Sequence, residues 1–243
     1  MNSTQLIAVS LVLIGSYQGL LINPAPNVKP SLPPAEPQPL VKPRLPFRPL
    51  FPKIEAKVGG RTEDGIELQI DFPGSLHLKN RGGRDGAGLC VFTSIEHAAH
   101  WQNLPVLQGF QKWMTQYSGG GYPSKVDQMI AKKAKDSGEA VPEYLQIENN
   151  DLELLEKALD SGRMPCVTYA YSPTGRYGGS YVAHMVNLVH GKGDTWVVLD
   201  NNFPGDTKYE WMTRKEFLRA YAGRSKGWSV VLLNPPPPPP PIE

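Results

Sequence analysis

Cysteine and histidine are the residues in this chain that could carry covalent chemistry together. There are only two cysteines, Cys90 and Cys166, and five histidines. Cys90 follows Gly86-Ala87-Gly88-Leu89 and opens a stretch in which Val91, Ile95, Ala98 and Ala99 recur at helical spacing. A thiol placed where a glycine-rich loop becomes a helix meets the unpaired N–H groups of the first turn, which favour the thiolate. Gly82, Gly83, Gly86 and Gly88 let backbone approach a substrate closely at that point. A thiolate nucleophile also needs an imidazole to take and return protons, and the imidazole needs a partner on its second nitrogen. His184 lies in the apolar run Ala183 to Val189, and the next run, Trp196 to Leu199, ends in Asp200-Asn201-Asn202. A hairpin turning through His190 to Asp194 brings the end of the second run back beside the start of the first, so Asp200 or Asn201 lands next to His184. Side chains alternate along a strand, so only one of these two shares the histidine's side.

The elements that must hold these residues divide by position. The first half of the domain reads as helices: Cys90 to Trp101, a second carried by Val106, Phe110, Trp113, Met114 and Tyr117, a third opened by Ser124 with Asp127, and a fourth opened by Asn150 or Asp151. The second half reads as strands, at Cys166 to Tyr171, Ala183 to Val189, Thr195 to Leu199, Tyr209 to Met212 and Trp228 to Leu233. One helix interrupts them, with Thr213 and Glu216 as its capping box and Phe217, Leu218 and Tyr221 on its buried side. Helices followed by strands predict an α+β fold, a helical layer on a mostly antiparallel sheet with a cleft between the layers.

Four segments in order resemble the papain-like cysteine peptidases. Leu78-Lys79-Asn80-Arg81-Gly82 followed by Gly88-Leu89-Cys90-Val91-Phe92-Thr93-Ser94 resembles their Lys-Asn-Gln-Gly stretch and Gly-x-Cys-Trp-Ala-Phe-Ser motif, and Gly119-Gly120-Gly121-Tyr122-Pro123 resembles their Gly-Gly-Tyr-Pro loop. His184-Met185-Val186-Asn187 is similar to the catalytic-histidine strand, and Trp196 to Phe203 to the strand ending in Asn-Ser-Trp. The resemblance implies a papain-like fold in which Cys90 is the nucleophile and His184 the general base and later acid. Asn201 would orient the imidazole, with Asp200 as the alternative. Gly120, Gly121 and Tyr122 would line the substrate cleft, with Gly120 and Gly121 offering backbone groups to an extended peptide. The implied substrate is a peptide or protein, and no metal or organic cofactor is called for. Arg81 falls where the family has its oxyanion glutamine, which leaves Arg81, Arg84 or Asn80 to donate there. That departure also fits a catalytically inactive module that binds peptides in the same cleft, and the thioester chemistry would equally serve a transpeptidase or transamidase.

Composition bounds the rest. A net charge of +2 without a basic cluster argues against nucleic acid as a partner, and two cysteines make no disulfide framework. His97 and His100 read as solvated helix residues, Cys166 as a core residue, and Lys125, Lys132, Lys133 and Lys135 as a solvated helix face. Eleven of the 25 prolines lie between Pro24 and Pro52 and seven form the run Pro235 to Pro241. They delimit an N-terminal apolar segment at residues 1–22, a stiff linker at 23–53, the domain at 54–234 and a tail at 235–243. Residues 5–22 are uncharged and read as a single membrane anchor or a signal peptide, which makes the protein membrane-anchored or secreted. The proline tail could dock in an aromatic-lined groove of a partner domain.

Overall fold

In the first described helix, α1 (Cys90–Trp101), ten of the twelve residues are buried, including the polar Thr93, Ser94, Glu96 and His97. A helix buried nearly all round needs partners for its polar groups, and these come from the sheet and the loops around it. The computed structural model describes residues 59–61 and 67–235, all within the compact unit Leu45–Glu243. The expected apolar segment, the proline-rich linker and residues 236–243 of the tail lie outside the described residues. Among the described residues no helix is long and apolar enough to cross a membrane.

The chain begins with a small antiparallel pair, β1 (Gly59–Arg61) and β2 (Glu67–Leu68). After α1 come a 3₁₀ turn at Pro105–Leu107 and the short α2 (Phe110–Met114). The sequence reads these as one helix; Gly109, with φ of 74°, breaks it between Leu107 and Phe110. The third helix, α3 (Pro123–Ser137), starts on the proline with Tyr122 as its cap, so Ser124 and Asp127 do not form the expected capping box. Asp127 instead accepts hydrogen bonds from Tyr144 Oη and Gln146 Nε2, both at 2.6 Å. Those residues belong to β3 (Tyr144–Glu148), a half-exposed strand absent from the sequence reading. Asp151 caps α4 (Leu152–Asp160) through Glu153 N–H and Leu154 N–H.

The strands expected in the second half are present as β4 (Cys166–Tyr169), β5 (His184–Lys192), β6 (Thr195–Leu199), β7 (Tyr209–Thr213) and β8 (Trp228–Leu232). Between β7 and β8 lies α5 (Arg214–Ala222), opened by the capping box of Thr213 and Glu216. The six strands β3 to β8 form one antiparallel sheet in the order β3-β8-β4-β5-β6-β7. The fold is therefore α+β.

Helix α1 packs on β5, where Ser94 Oγ donates to Met185 O (3.1 Å), Asn187 Nδ2 to Ser94 O (2.9 Å), and Asn187 Oδ1 meets His97 Nδ1 (3.2 Å). His97 is thus a core residue and not a solvated one; its Nε2 accepts from Leu78 N–H, and burial pushes the ring down to about 3, so it is neutral. Alternation places Trp196 on the face of β6 opposite Leu199, and there Phe217 of α5 stacks on it at 4.6 Å. Helix α1 on β5 and helix α5 on β6 thereby hold these two neighbouring strands in place.

Candidate active site

Cys90 occupies the first turn of α1, behind a loop that folds on itself. Gly82 pairs with Gly88, Gly83 N–H donates to Ala87 O (2.8 Å) and Leu89 N–H to Arg81 O (2.8 Å), so the extra residues between Asn80 and Cys90 form a self-closed hairpin. A second loop is knitted to it: Arg84 N–H donates to Tyr117 O and Gly119 N–H to Asp85 Oδ1, both at 2.7 Å, and Gly120 N–H to Gly88 O, also at 2.7 Å. The Gly120 N–H is therefore already engaged within the protein. Gly121 lies against Val91 so closely that a Cβ would come within 2.6 Å of it, which explains a glycine there. Tyr122 is 59% exposed and does not line the cleft.

His184 opens β5 and is 7% exposed; Cys90 is 8% exposed. The imidazole Nε2 lies 2.8 Å from Asp200 Oδ1, and Cys90 lines the same cleft as His184 and adds to the pull on its ring. Since Nε2 faces the carboxylate, Nδ1 is the nitrogen left for the thiol. Burial works against a charged imidazole, but the Asp200 hydrogen bond and then the thiol outweigh it, and His184 is pushed up to about 9. Burial likewise works against the Asp200 carboxylate, yet His184, Asn202 N–H and Tyr177 hold it below its ordinary range.

Asn201, first choice for this role by resemblance, is placed elsewhere. Its Nδ2 donates to Cys90 O (3.3 Å), Ser94 Oγ (3.0 Å) and Met185 O (3.0 Å), which ties α1 to the sheet. The reason is a β-bulge. The turn is tighter than expected, with Lys192 paired to Thr195 across Gly193-Asp194, but the pairing slips by one residue between Leu188 and His190, so that Leu188 faces Val198 and Asn187 faces Leu199. Continued, this register sets Asn201 beside Met185 and Asp200 on the face of His184. Without the extra residue, Asn201 would share the histidine's face.

Arg81 and Arg84, expected to donate to an oxyanion, are not among the residues that line the cleft. Both side chains are exposed, at the base and in the turn of the Gly82–Gly88 hairpin. Asn80 does line the cleft, beside Gly88 and Cys90. Its N–H donates to Asn201 O (2.7 Å), its Nδ2 donates to Asn202 Oδ1 (3.1 Å), and its Oδ1 is buried without a partner. One amide hydrogen of Asn80 thus remains to be shared, in the cleft that Cys90, with its helix-first N–H, also lines.

Three further residues bear on the site that the sequence reading does not single out. Tyr177 Oη donates to Asp200 Oδ2 (2.7 Å), and its ring stands edge-on to His184 at 5.8 Å. Asn202 N–H donates to Asp200 Oδ1 (2.9 Å). Arg176 lies 3.9 Å from Asp200 Oδ2 and 3.6 Å from Glu210 Oε2. Buried Glu210 in turn accepts from Tyr169 Oη (2.6 Å), Ser172 Oγ (2.5 Å) and Thr174 Oγ1 (2.6 Å), which anchors the loop carrying Arg176 and Tyr177. The glycines at 175, 178 and 179 mark this loop in the sequence, but nothing local points it at Asp200.

A cleft of about 600 Å³ opens over these groups, lined by Asn80, Gly88, Cys90, Gly121 and His184 on one side and by the end of α5 on the other. No protein-family model and no curated protein matches the chain.

Proposed function

We propose that this domain is a papain-like cysteine peptidase, hydrolysing peptide or amide bonds through Cys90, His184 and Asp200. The observation that carries the reading is the contiguous set of thiol, imidazole and carboxylate at the floor of a cleft, with His184 protonated up to about 9. An imidazolium beside a thiol at a helix N-terminus stabilises the thiolate.

In the first half-reaction the Cys90 sulfur attacks the scissile carbonyl carbon and forms a C–S bond. Charge collects on the carbonyl oxygen, where Cys90 N–H and Asn80 Nδ2–H donate. His184 gives its proton to the leaving nitrogen as the C–N bond breaks, leaving a thioester and a neutral imidazole. In the second, His184 takes a proton from water, the hydroxyl adds to the thioester, and the C–S bond breaks to release the acid. Asp200 keeps Nε2 protonated and the ring in place throughout. The same thioester would transfer to an amine acceptor, so the substrate class is an acyl donor of peptide type. The uncharged segment 5–22 supports placement at or beyond a membrane, with the proline-rich linker as spacer.

The test is hydrolysis of a pool of unrelated peptides by the intact chain, read by mass spectrometry. Cleavage that disappears in Cys90→Ala and in His184→Ala, with unchanged circular dichroism, is the expected result. Full activity in either variant would sink the assignment.

A further inference from the structure

The rim of the cleft at the end of α5 carries an arrangement that the proposed chemistry does not use. Among the described lining residues there is no aspartate or glutamate, whereas Arg224 and Lys226 stand at the end formed by the segment after α5. Lys226 is paired with Glu148 at 2.6 Å, so its charge is answered within the protein. No ion pair is made by Arg224 or by Arg219 among the described residues, and both are exposed. Each guanidinium lies over a tyrosine instead, Arg219 at 4.3 Å from the Tyr171 ring centre and Arg224 at 5.0 Å from that of Tyr181, and the two rings are 6.0 Å apart. The result is a continuous strip of Arg219, Tyr171, Tyr181 and Arg224 that leads, through Ala170 and Val182, into the cleft beside His184.

A guanidinium stacked on a ring keeps its in-plane N–H groups pointing outward, where they match the two oxygens of a carboxylate. The strip is also held in place. Gly223 adopts φ of 56° and ψ of −122°, a conformation open to glycine, and Gly227 N–H donates to Asn150 Oδ1 at 2.8 Å, so the segment bearing Arg224 is pinned on either side. Tyr181, 44% exposed, adds an aromatic surface on which peptide backbone can lie.

From this we infer that the cleft selects acidic polypeptides, with glutamate or aspartate side chains of the bound segment paired to Arg219 and Arg224 at the two ends of the strip. The inference rests on the cleft being a peptide site, as proposed above, and adds the class of peptide. Two guanidiniums at the ends of a short aromatic strip suit the separate carboxylates of an acidic segment; a nucleic acid would need a longer row of cations to follow its phosphates.

The experiment separates the two readings. The intact chain as Cys90→Ala is titrated, by fluorescence polarisation at low salt, with labelled peptides that differ only in a central Glu-Glu, Gln-Gln or Lys-Lys pair. The Glu peptide binds about fivefold tighter than the Gln peptide, the ratio that one exposed ion pair sustains, and Arg219→Glu with Arg224→Glu reverses the order in favour of Lys. Equal affinity for the three peptides, a preference unchanged in the double variant, or tighter binding of a labelled DNA oligonucleotide than of the Glu peptide overturns the inference. Hydrolysis of the same peptides by the unmodified chain reads the peptidase chemistry separately. Glu-selective binding with no cleavage of any peptide fails that chemistry alone, and cleavage with no charge preference in binding fails the inference alone.

Discussion

Asp200 and Asn201 are neighbours in sequence with opposite duties: the carboxylate meets His184 at 2.8 Å, and the amide ties α1 to the sheet. Their roles make distinct predictions. Asp200→Asn lowers kcat/KM by about 10²-fold or more, because the ring loses the anion that fixes its tautomer and its charge. The sign of the pH effect follows from the direction of the shift. His184 is raised to about 9 chiefly by Asp200, so in the unmodified protein the imidazolium persists through neutral pH and activity falls as pH rises past about 9; in Asp200→Asn that alkaline limb moves to lower pH. A limb that stays in place in pH–rate profiles would remove Asp200 from the role. Asn80 makes the second prediction. If its amide serves the oxyanion, Asn80→Ala costs about 10² to 10³ in kcat, while Arg81→Ala and Arg84→Ala, both outside the cleft, leave kcat within about twofold. The reverse pattern in steady-state kinetics would restore the arginines.

The elements were legible where pattern and local chemistry agreed. The helix from Cys90 to Trp101, the strand from Thr195 to Leu199 and the Thr213–Glu216 capping box stand where the residues put them. Strand β3 was not legible because it is a half-exposed edge of five residues with no strong alternation of buried and exposed positions. The choice between Asp200 and Asn201 was hidden for a sharper reason. Strand alternation does put only one of them beside His184, but which one depends on a single bulged residue between Leu188 and His190, and no residue type there announces it. The Gly82–Gly88 hairpin is similar: the glycines show that the backbone turns, but not that Asn80 lines the cleft while Arg81 and Arg84 stay outside its lining. At this scale Asn201→Ala is a stability variant. It leaves Ser94 Oγ and two buried carbonyls, Cys90 O and Met185 O, without their shared donor, and unfolding by urea should show a loss of about 1–3 kcal/mol. A stability unchanged within error would contradict the clamp between α1 and β5.

Across the whole molecule, the two cysteines are sorted by where the core lies. Cys166 is wholly buried in β4, where burial pushes its thiol up, and only Asn187 Nδ2, 3.5 Å away, eases the shift. Cys90 sits at the cleft together with His184. One fold thus holds one thiol as packing and sets the other, itself buried, at the lining of the cleft. The charged pair of His184 and Asp200 also links the site to global stability. The raised His184 contributes fully below its unfolded value near 6.5 and loses that contribution as pH rises through about 9, while the lowered Asp200 contributes above its ordinary 3.8 and loses it as pH falls through its folded value. Thermal stability should therefore decline between about pH 6.5 and 9 in the unmodified protein and show less decline there in Asp200→Asn.

The most direct measurement is the rate of Cys90 alkylation by iodoacetamide against pH, read by peptide mass spectrometry, in the intact chain and in His184→Ala and Asp200→Asn. A neighbouring imidazolium predicts fast labelling of Cys90 at pH 6, where an ordinary thiol with a pKa of about 8.5 is almost wholly protonated. That labelling should be lost in His184→Ala and weakened in Asp200→Asn, with Cys166 unlabelled until the protein unfolds. Slow labelling of Cys90 that rises only above pH 8 and is indifferent to His184 would contradict the proposed catalytic set.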